Sequence, residues 1–170
     1  MDEVGVREQR VVQARALVED LCAEFDAEHA AQVRQVRVID ALCQAYSVLD
    51  AVGPVLPGQE RLVPAGADGT LLVAEHLATE LAPKMRVSIP TAGSFIAETM
   101  DIVYRHPRLW QAVQDGRLRV WQARQIVRAT SLAGLCLDAA LWVDTHLEPA
   151  LGPARARTAH PQAARVDRPR

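Results

Sequence analysis

The chain has 170 residues, 49% of them hydrophobic, which is enough for one domain with a real apolar core. Aromatic residues make up only 4%, so helices that pack through aliphatic side chains are favoured. No uncharged run approaches the ~18 residues of a membrane span, and the acidic start MDEVGVREQR lacks the apolar segment of a secretory signal. We therefore expect a cytoplasmic protein with no membrane partner.

The net charge of −2 conceals a strong segregation along the chain. Residues 1–50 hold ten acidic residues against five arginines, whereas residues 105–135 hold six arginines against one aspartate. This distribution indicates either an anionic partner or acidic and basic segments that pack on each other. Both alternatives stay open at this point.

The three cysteines, Cys22, Cys43 and Cys136, are widely spaced and form no C-x-x-C pair. Each stands among apolar neighbours. We expect small buried thiols in a reducing compartment, which agrees with a cytoplasmic location.

Residues 1–52 are predicted to form a long helical segment, because 7–51 lack Pro and Gly and the apolar residues recur at 3-4 spacing. A heptad seam of this kind implies a partner helix, which belongs either to a second copy, in a homodimer, or to the chain's own body. The candidate oligomerisation residues are Val11, Val18, Leu21, Phe25, Ile39, Leu42 and Leu49. The polar positions Glu28, Gln32 and Gln35 interrupt the seam, so they either set its register or mark a bend where one helix becomes two. Two ordinary core helices are the alternative.

Residues 53–69 carry three Pro and four Gly and are predicted to be a linker or exposed loop. A compact bundle of about five helices is expected after it, in residues 70–151, and no segment shows the alternation of a strand. The predicted helices are Thr70–Ala82, Ser88 or Thr91 to about Tyr104, Pro107 to Gly116, Arg119–Ser131 and Leu135–Leu147. The sequence thus predicts an all-α fold.

Residues 152–170 contain five arginines and three prolines, and Val166 is their only large aliphatic residue. Such a segment cannot bury enough apolar surface to order itself, so we expect a disordered basic tail.

No catalytic or metal-binding arrangement is apparent in the sequence. The five histidines are scattered without H-x-x-x-H or H-E-x-x-H spacing, and there is no phosphate-binding glycine loop and no G-x-S-x-G. We expect no metal, no cofactor, no small-molecule ligand and no enzyme activity.

A basic cluster with one tryptophan gives the chain its candidate nucleic-acid site, since guanidinium groups beside an indole can neutralise phosphates and stack a base. Its members are Arg117, Arg119, Trp121, Arg124 and Arg128, with Lys84 and Arg86 as further phosphate contacts. Arg117, Arg119, Arg124 and Arg128, together with the basic tail, are predicted to carry the unopposed positive charge of the chain. The alternative is that Trp121 covers the edge of the core and that the arginines form ion pairs with the acidic N-terminal helix.

Residues 80–100, ELAPKMRVSIPTAGSFIAETM, have the outline of a helix-turn-helix. The second helix nevertheless contains no Arg or Lys, and Glu98 and Asp101 would repel phosphate. We therefore expect no base reading by the helix after Ser88.

Three stretches, ELAPKMRVSIPTAG, RHPRLWQAVQDGRLRVWQARQIVRAT and LDAALWVDTHLEPAL, resemble the domain of unknown function 222 (DUF222) family, which includes the actinobacterial 13E12-repeat proteins. The resemblance covers roughly residues 70–150. The matching positions are Ser88, Thr91 and Ala92, then Pro107, Leu109, Ala112 and Gly116, then Ala123, Arg124 and Ile126. Two departures stand out, namely AGSFIAE where members often have several arginines, and Arg119 where Ser or Thr is usual.

The resemblance implies association with proteins that carry an HNH endonuclease module C-terminal to this domain. The chain stops before such a module, so we expect a truncated copy without the nuclease. Our leading hypothesis is a non-catalytic helical module of this family with weak, non-specific DNA association. The alternative is a dimerising protein-interaction module that binds no nucleic acid.

Overall fold

The computed structural model describes residues 3–47 and 61–147, with side chains from residue 7 onward. The predicted all-α fold is confirmed. The helices are α1 Glu3–Ala45, α2 Leu77–Met85, α3 Ile89–Met100, α4 Pro107–Gln114, α5 Val120–Leu132 and α6 Leu137–Leu147. Leu49, the predicted tail 152–170 and residues 53–60 of the predicted linker lie outside the described residues.

The N-terminal segment is one continuous helix of 43 residues, so the alternative of a helix pair is wrong. At 1.5 Å per residue α1 is about 65 Å long. Side chains 7–22 and 24–28 are exposed, whereas from His29 onward one face of the helix packs on the other elements. Glu28, Gln32 and Gln35 do not interrupt the helix, because polar residues of good helix propensity are tolerated where their side chains reach solvent or each other. Gln32 donates to Glu28 at 2.9 Å across one turn.

A short β-hairpin precedes the compact helices, and the expectation of no strand was wrong. Strand β1, Leu62–Pro64, pairs antiparallel with β2, Leu72–Ala74, with Val63 opposite Val73. The helix predicted from Thr70 begins only at Leu77. A short apolar run such as LLVA fits either element, and here pairing with the preceding strand decides in favour of β-structure. The hairpin turn uses Gly69 at φ +86°.

Helices α2 and α3 meet at a tight turn that is held by hydrogen bonds between residues close in sequence. Arg86 ends α2 in the left-handed conformation, with φ +55°, and its N–H bonds to the carbonyls of Ala82 and Pro83. Of the two caps predicted for α3, Ser88 rather than Thr91 is the N-cap, since its hydroxyl accepts the amide of Thr91 at 3.3 Å. A π-helical turn at Asp101–Arg105 continues α3.

The remaining helices enclose two apolar clusters. Val33 and Val36 of α1 pack in one cluster with Leu109, Val113, Val127 and their neighbours from α4 and α5. Ile39 and Cys43 pack in the other with Val73, Leu77, Ile96 and Met100. As predicted, Pro107 opens α4 and Gly116 follows its C-terminus at φ +72°, a conformation that glycine adopts at little cost.

Of the three cysteines, only Cys43 is buried. Cys22 and Cys136 are exposed, so the expectation of three buried thiols was wrong. Cys22 lies on the exposed part of α1, where no other described element packs, and its apolar neighbours in sequence do not reveal this. Burial, with a smaller contribution from the carboxylate of Asp40, raises the pKa of Cys43 to about 11. None of the helices within the described residues combines the length and apolar character that crossing a membrane requires.

Candidate functional site

Each of the four arginines of the predicted basic cluster has a carboxylate within 4 Å, so the premise that their charge is unopposed was wrong. Arg117 lies 3.5 Å from Asp115, Arg119 lies 3.5 Å from Asp26 of α1, and Arg124 and Arg128 both bond to Glu98 of α3. Only one of these four arginines, Arg119, therefore pairs with an acidic residue of the N-terminal helix. Glu98, read from sequence as a residue that would repel phosphate, is an internal partner of two cations.

The contacts of Glu98 hold α3 against α5. Its side chain is 9% exposed and accepts hydrogen bonds from the Nε–H groups of Arg124 and Arg128. The guanidinium of Arg124 also lies over the ring of Phe95, 4.0 Å from its centroid, in a cation–π arrangement. The Arg124 side chain is 23% exposed and that of Arg128 is 57% exposed. Arg124 is thus the structural member of the pair, and Arg128 keeps much of its surface in water.

A cavity of about 150 Å³ opens between α1, α3 and α5 beside this cluster. Trp121, itself 54% exposed, is among the lining residues. The other lining side chains are Gln32, Gln35, Val36, Ile39, Phe95, Glu98, Thr99, Ile102, Val120 and Arg124. Two of the predicted nucleic-acid residues, Trp121 and Arg124, are therefore brought together with two of the polar positions that interrupt the α1 seam.

Lys84 and Arg86 lie apart from that cluster, at the end of α2 and in the turn before α3. Both are exposed, and within 61–147 and 3–47 neither has a carboxylate within 4 Å. Ser94, one turn further along, is also exposed, and its hydroxyl donates to the carbonyl of Pro90 at 3.0 Å. The two sets of predicted phosphate contacts thus occupy different parts of the fold.

The structure splits the candidate oligomerisation residues into two groups. Val11, Val18, Leu21 and Phe25 are 52–63% exposed on the free part of α1, and we refer to these four side chains as the α1 stripe. Ile39 is buried in the second apolar cluster and Leu42 is half-buried. The predicted seam therefore serves the chain's own core at one end and faces solvent at the other.

A buried polar cluster around Arg105 was not predicted from the sequence. Arg105 has no exposed surface, and it donates to the hydroxyl of Ser131 at 3.3 Å and to the carbonyl of Leu135 at 2.5 Å. Asp101, one π-turn earlier, lies 3.6 Å from the same guanidinium and accepts from the hydroxyl of Ser131. It also accepts the amide of Ala67 in the hairpin. These contacts tie the hairpin, the π-turn and the end of α5 together.

His106 and Asp144 form a second buried polar pair that positions α4. The carboxylate of Asp144 accepts the amides of Arg108 and Leu109, both at 2.9 Å, and so caps the first turn of the helix. His106 Nε2 lies 3.0 Å from the hydroxyl of Thr130. Burial lowers the pKa of His106, the cation of Arg105 lowers it further, and the carboxylates of Asp144 and Asp101 oppose the shift. The pair Arg105-His106 just before Pro107 is the only sequence signal for this cluster.

No group of three His, Cys, Asp or Glu side chains within the described ranges is arranged to hold a metal ion. No family model, no curated protein and no solved structure matches the chain. The resemblance to the DUF222 family accordingly stays a prediction, and the candidate sites stand on their own geometry.

Proposed function

We propose that the chain is a non-catalytic helical interaction module whose docking surface is the α1 stripe. The supporting observation is a repeat of one apolar pattern along one helix. Val18, Leu21 and Phe25 are exposed, and Val36, Ile39 and Cys43, each 18 residues further on, are buried. Eighteen residues are about five turns of an α-helix, so the two sets lie on the same side of α1.

The second set shows what such a face does in this fold. It packs against α3, α5 and the hairpin and contributes to both apolar clusters. The first set presents the same kind of surface with no element of the described chain over it. Large apolar side chains that form a continuous exposed row mark interaction surfaces more often than scattered single ones do. The α1 stripe therefore presents to a partner the same kind of apolar surface that the packed half of α1 presents to residues 61–147, which we call the body.

The test is a charge placed in the middle of the stripe. We expect the wild-type chain to self-associate in sedimentation equilibrium and Leu21→Asp to be monomeric over the same concentrations. Gln13→Asp is the matched control, because it adds the same charge to the same exposed helix on the side away from the stripe. A wild-type chain that stays monomeric at high concentration would contradict the proposal.

Weak, non-specific DNA association is a second candidate function. It is favoured by the exposed cations Lys84 and Arg86, which have no carboxylate within 4 Å in the described part of the chain, and by the exposed surface of Arg128 and Trp121. Each phosphate neutralised adds about −0.9 to the slope of log affinity against log salt. We expect Lys84→Ala combined with Arg86→Ala to reduce that slope and Ser94→Ala to leave affinity unchanged. A sequence-selective complex that Ser94→Ala abolishes would restore base reading by α3.

The family assignment remains part of this proposal. A DUF222-type module would place the docking surface beside an HNH nuclease in related proteins, and the stripe would then serve assembly of that nuclease. An HNH coding segment found just downstream of the codon for Arg170, in any frame, would support this association.

A further inference from the structure

The charges on the exposed part of α1 are ordered along the helix. Residues 7–15 carry Arg7, Arg10 and Arg15 against Glu8 alone. Residues 19–28 carry five acidic residues and no cation, namely Glu19, Asp20, Glu24, Asp26 and Glu28. The stripe thus runs from a basic half into an acidic half, with Leu17 and Val18 at the boundary.

This order distinguishes between the two ways in which a second copy of α1 can lie on the first. A parallel pair would set the five acidic residues of one copy beside the same five of the other. An antiparallel pair sets the arginines of each copy beside the acidic half of its partner. Charges that flank an apolar seam select partner and orientation, and like charges across it are destabilising.

The position of the body also favours the antiparallel orientation of the two α1 helices. The side of α1 that carries the stripe is the side on which the chain's own helices pack from His29 onward. In a parallel pair both bodies would lie at the same end and on the facing sides of the two helices, where they would collide. In an antiparallel pair they lie at opposite ends.

The geometry points to an antiparallel homodimer in which α1 of one copy fills the free stripe of the other, an inference that rests on the proposed function. Helix α1 begins at Glu3. The body first reaches it through Arg119, which donates to the carbonyl of Phe25 at 2.9 Å, and it begins to bury the side chains of α1 at His29. A pair centred at Ala16 sets Glu3 and His29 opposite each other, so the free span accommodates one helix end and no more. A shift by one heptad toward the body would drive the helix end into it.

This register also aligns the apolar residues and brings Arg10 near an acidic residue of the partner. Val11 lies opposite the partner's Leu21, and Ala14 lies opposite the partner's Val18, with both contacts repeated by symmetry. Arg10 is level with the partner's Cys22, and its flank of the seam also carries the partner's Glu24, two residues or about 3 Å further along the axis, again twice. The overlap of residues 7–25 is about 28 Å long at 1.5 Å per residue.

Spin-label distances on the outer side of α1 test the orientation. Single cysteines replace Gln9, Ala16 or Ala23, which are seven residues apart on one side of the helix, in a Cys22→Ser, Cys136→Ser background. Cys43 is fully buried and stays unlabelled. In the antiparallel dimer the two labels at position 16 are level with each other. The labels at 9 and at 23 are each offset along the axis by about 20 Å, from 14 residues at 1.5 Å each.

We therefore expect the shortest intermolecular distance at position 16 and longer, similar distances at 9 and 23. Equal distances at all three positions would indicate a parallel dimer, which overturns the inference and leaves the proposed function intact. A minimum at another position would overturn the register. Loss of every intermolecular distance together with a monomer in sedimentation would overturn the proposed function itself. Leu21→Asp added to the position-16 variant should abolish the short distance.

Discussion

Arg124 donates a hydrogen bond to the carboxylate of Glu98, across 26 residues of sequence, and so joins α5 to α3. From the sequence, Arg124 was predicted to contact phosphate. This bond shows that its cation instead stabilises the fold. The other hydrogen bond to Glu98 comes from Arg128, one turn further along α5, and the two arginines differ chiefly in their exposure to water.

That difference predicts unequal costs for two similar substitutions. Arg124→Ala removes a largely buried ion pair and the contact with Phe95, so we expect a loss of about 2 kcal/mol in the free energy of unfolding. Arg128→Ala removes a pair that water screens, for which about 0.5 kcal/mol is expected. Urea unfolding of the two variants measures both values. Equal losses would mean that the exposed bond is as strong as the buried one.

Removing the charge of Glu98 should uncover whatever affinity for nucleic acid the arginines have. Glu98→Gln keeps the size of the side chain and leaves two cations without a carboxylate, so we expect tighter binding to duplex DNA and a salt slope steeper by up to about 2 units. Fluorescence anisotropy at several salt concentrations measures it. Glu80→Gln, which removes an exposed acidic residue of α2, is the control for net charge. An identical effect of both would indicate long-range attraction rather than release of these two arginines.

The buried His106 predicts a pH dependence of stability. Its pKa is lowered in the folded state, chiefly by burial, whereas an unfolded histidine titrates near 6.5. Between these two pKa values the unfolded chain binds more protons, so the free energy of unfolding falls as the pH drops below about 6.5, by at most about 1.4 kcal/mol per pH unit. Above that pH the contribution is constant. Denaturant titrations from pH 5 to 8 should show a shallower fall for His106→Gln, and an unchanged fall would contradict the assignment.

Two glycines should respond to alanine in opposite directions. A Cβ on Gly66 would lie 2.8 Å from the carboxylate of Asp101, so Gly66→Ala must displace the polar cluster around Arg105 and is expected to destabilise the chain by about 1–3 kcal/mol. Gly93 lies inside α3, where the nearest atom to a new Cβ is that of Ala78 at 4.0 Å. Gly93→Ala should stabilise by about 0.5–1 kcal/mol, because alanine is the better helix former. Thermal unfolding compares the two, and destabilisation by both would reject the helical role of Gly93.

Features with a local cause could be predicted from the sequence. Ser88 caps α3, Pro107 opens α4 and Gly116 follows it, because each depends on backbone geometry within a few residues. The apolar stripe of α1 was also predictable, since its period of 3.6 is a property of the helix alone. What the periodicity could not reveal is which part of the stripe the body covers.

The missed features are those that depend on residues distant in sequence. Glu98 meets Arg128 across 30 residues, and Asp144 caps a helix that begins 37 positions before it. A single sequence has no signal that selects such partners among all the charged residues available. The β-hairpin was missed for the same reason, because Leu72–Ala74 becomes a strand only through its neighbour Leu62–Pro64.

The continuity of α1 also bears on how quickly a partner can be captured. Starting a helix in water is unfavourable, whereas extending an existing one by a residue is close to neutral. The packed half of α1 supplies that start for the exposed half, so residues 7–28 need only propagate from a turn that the body already holds. In the proposed dimer, each copy then meets a helix that is largely formed before contact, and little ordering remains for the encounter itself. Association should consequently be limited by the meeting of two preformed surfaces, as in stopped-flow mixing whose rate rises in proportion to protein concentration.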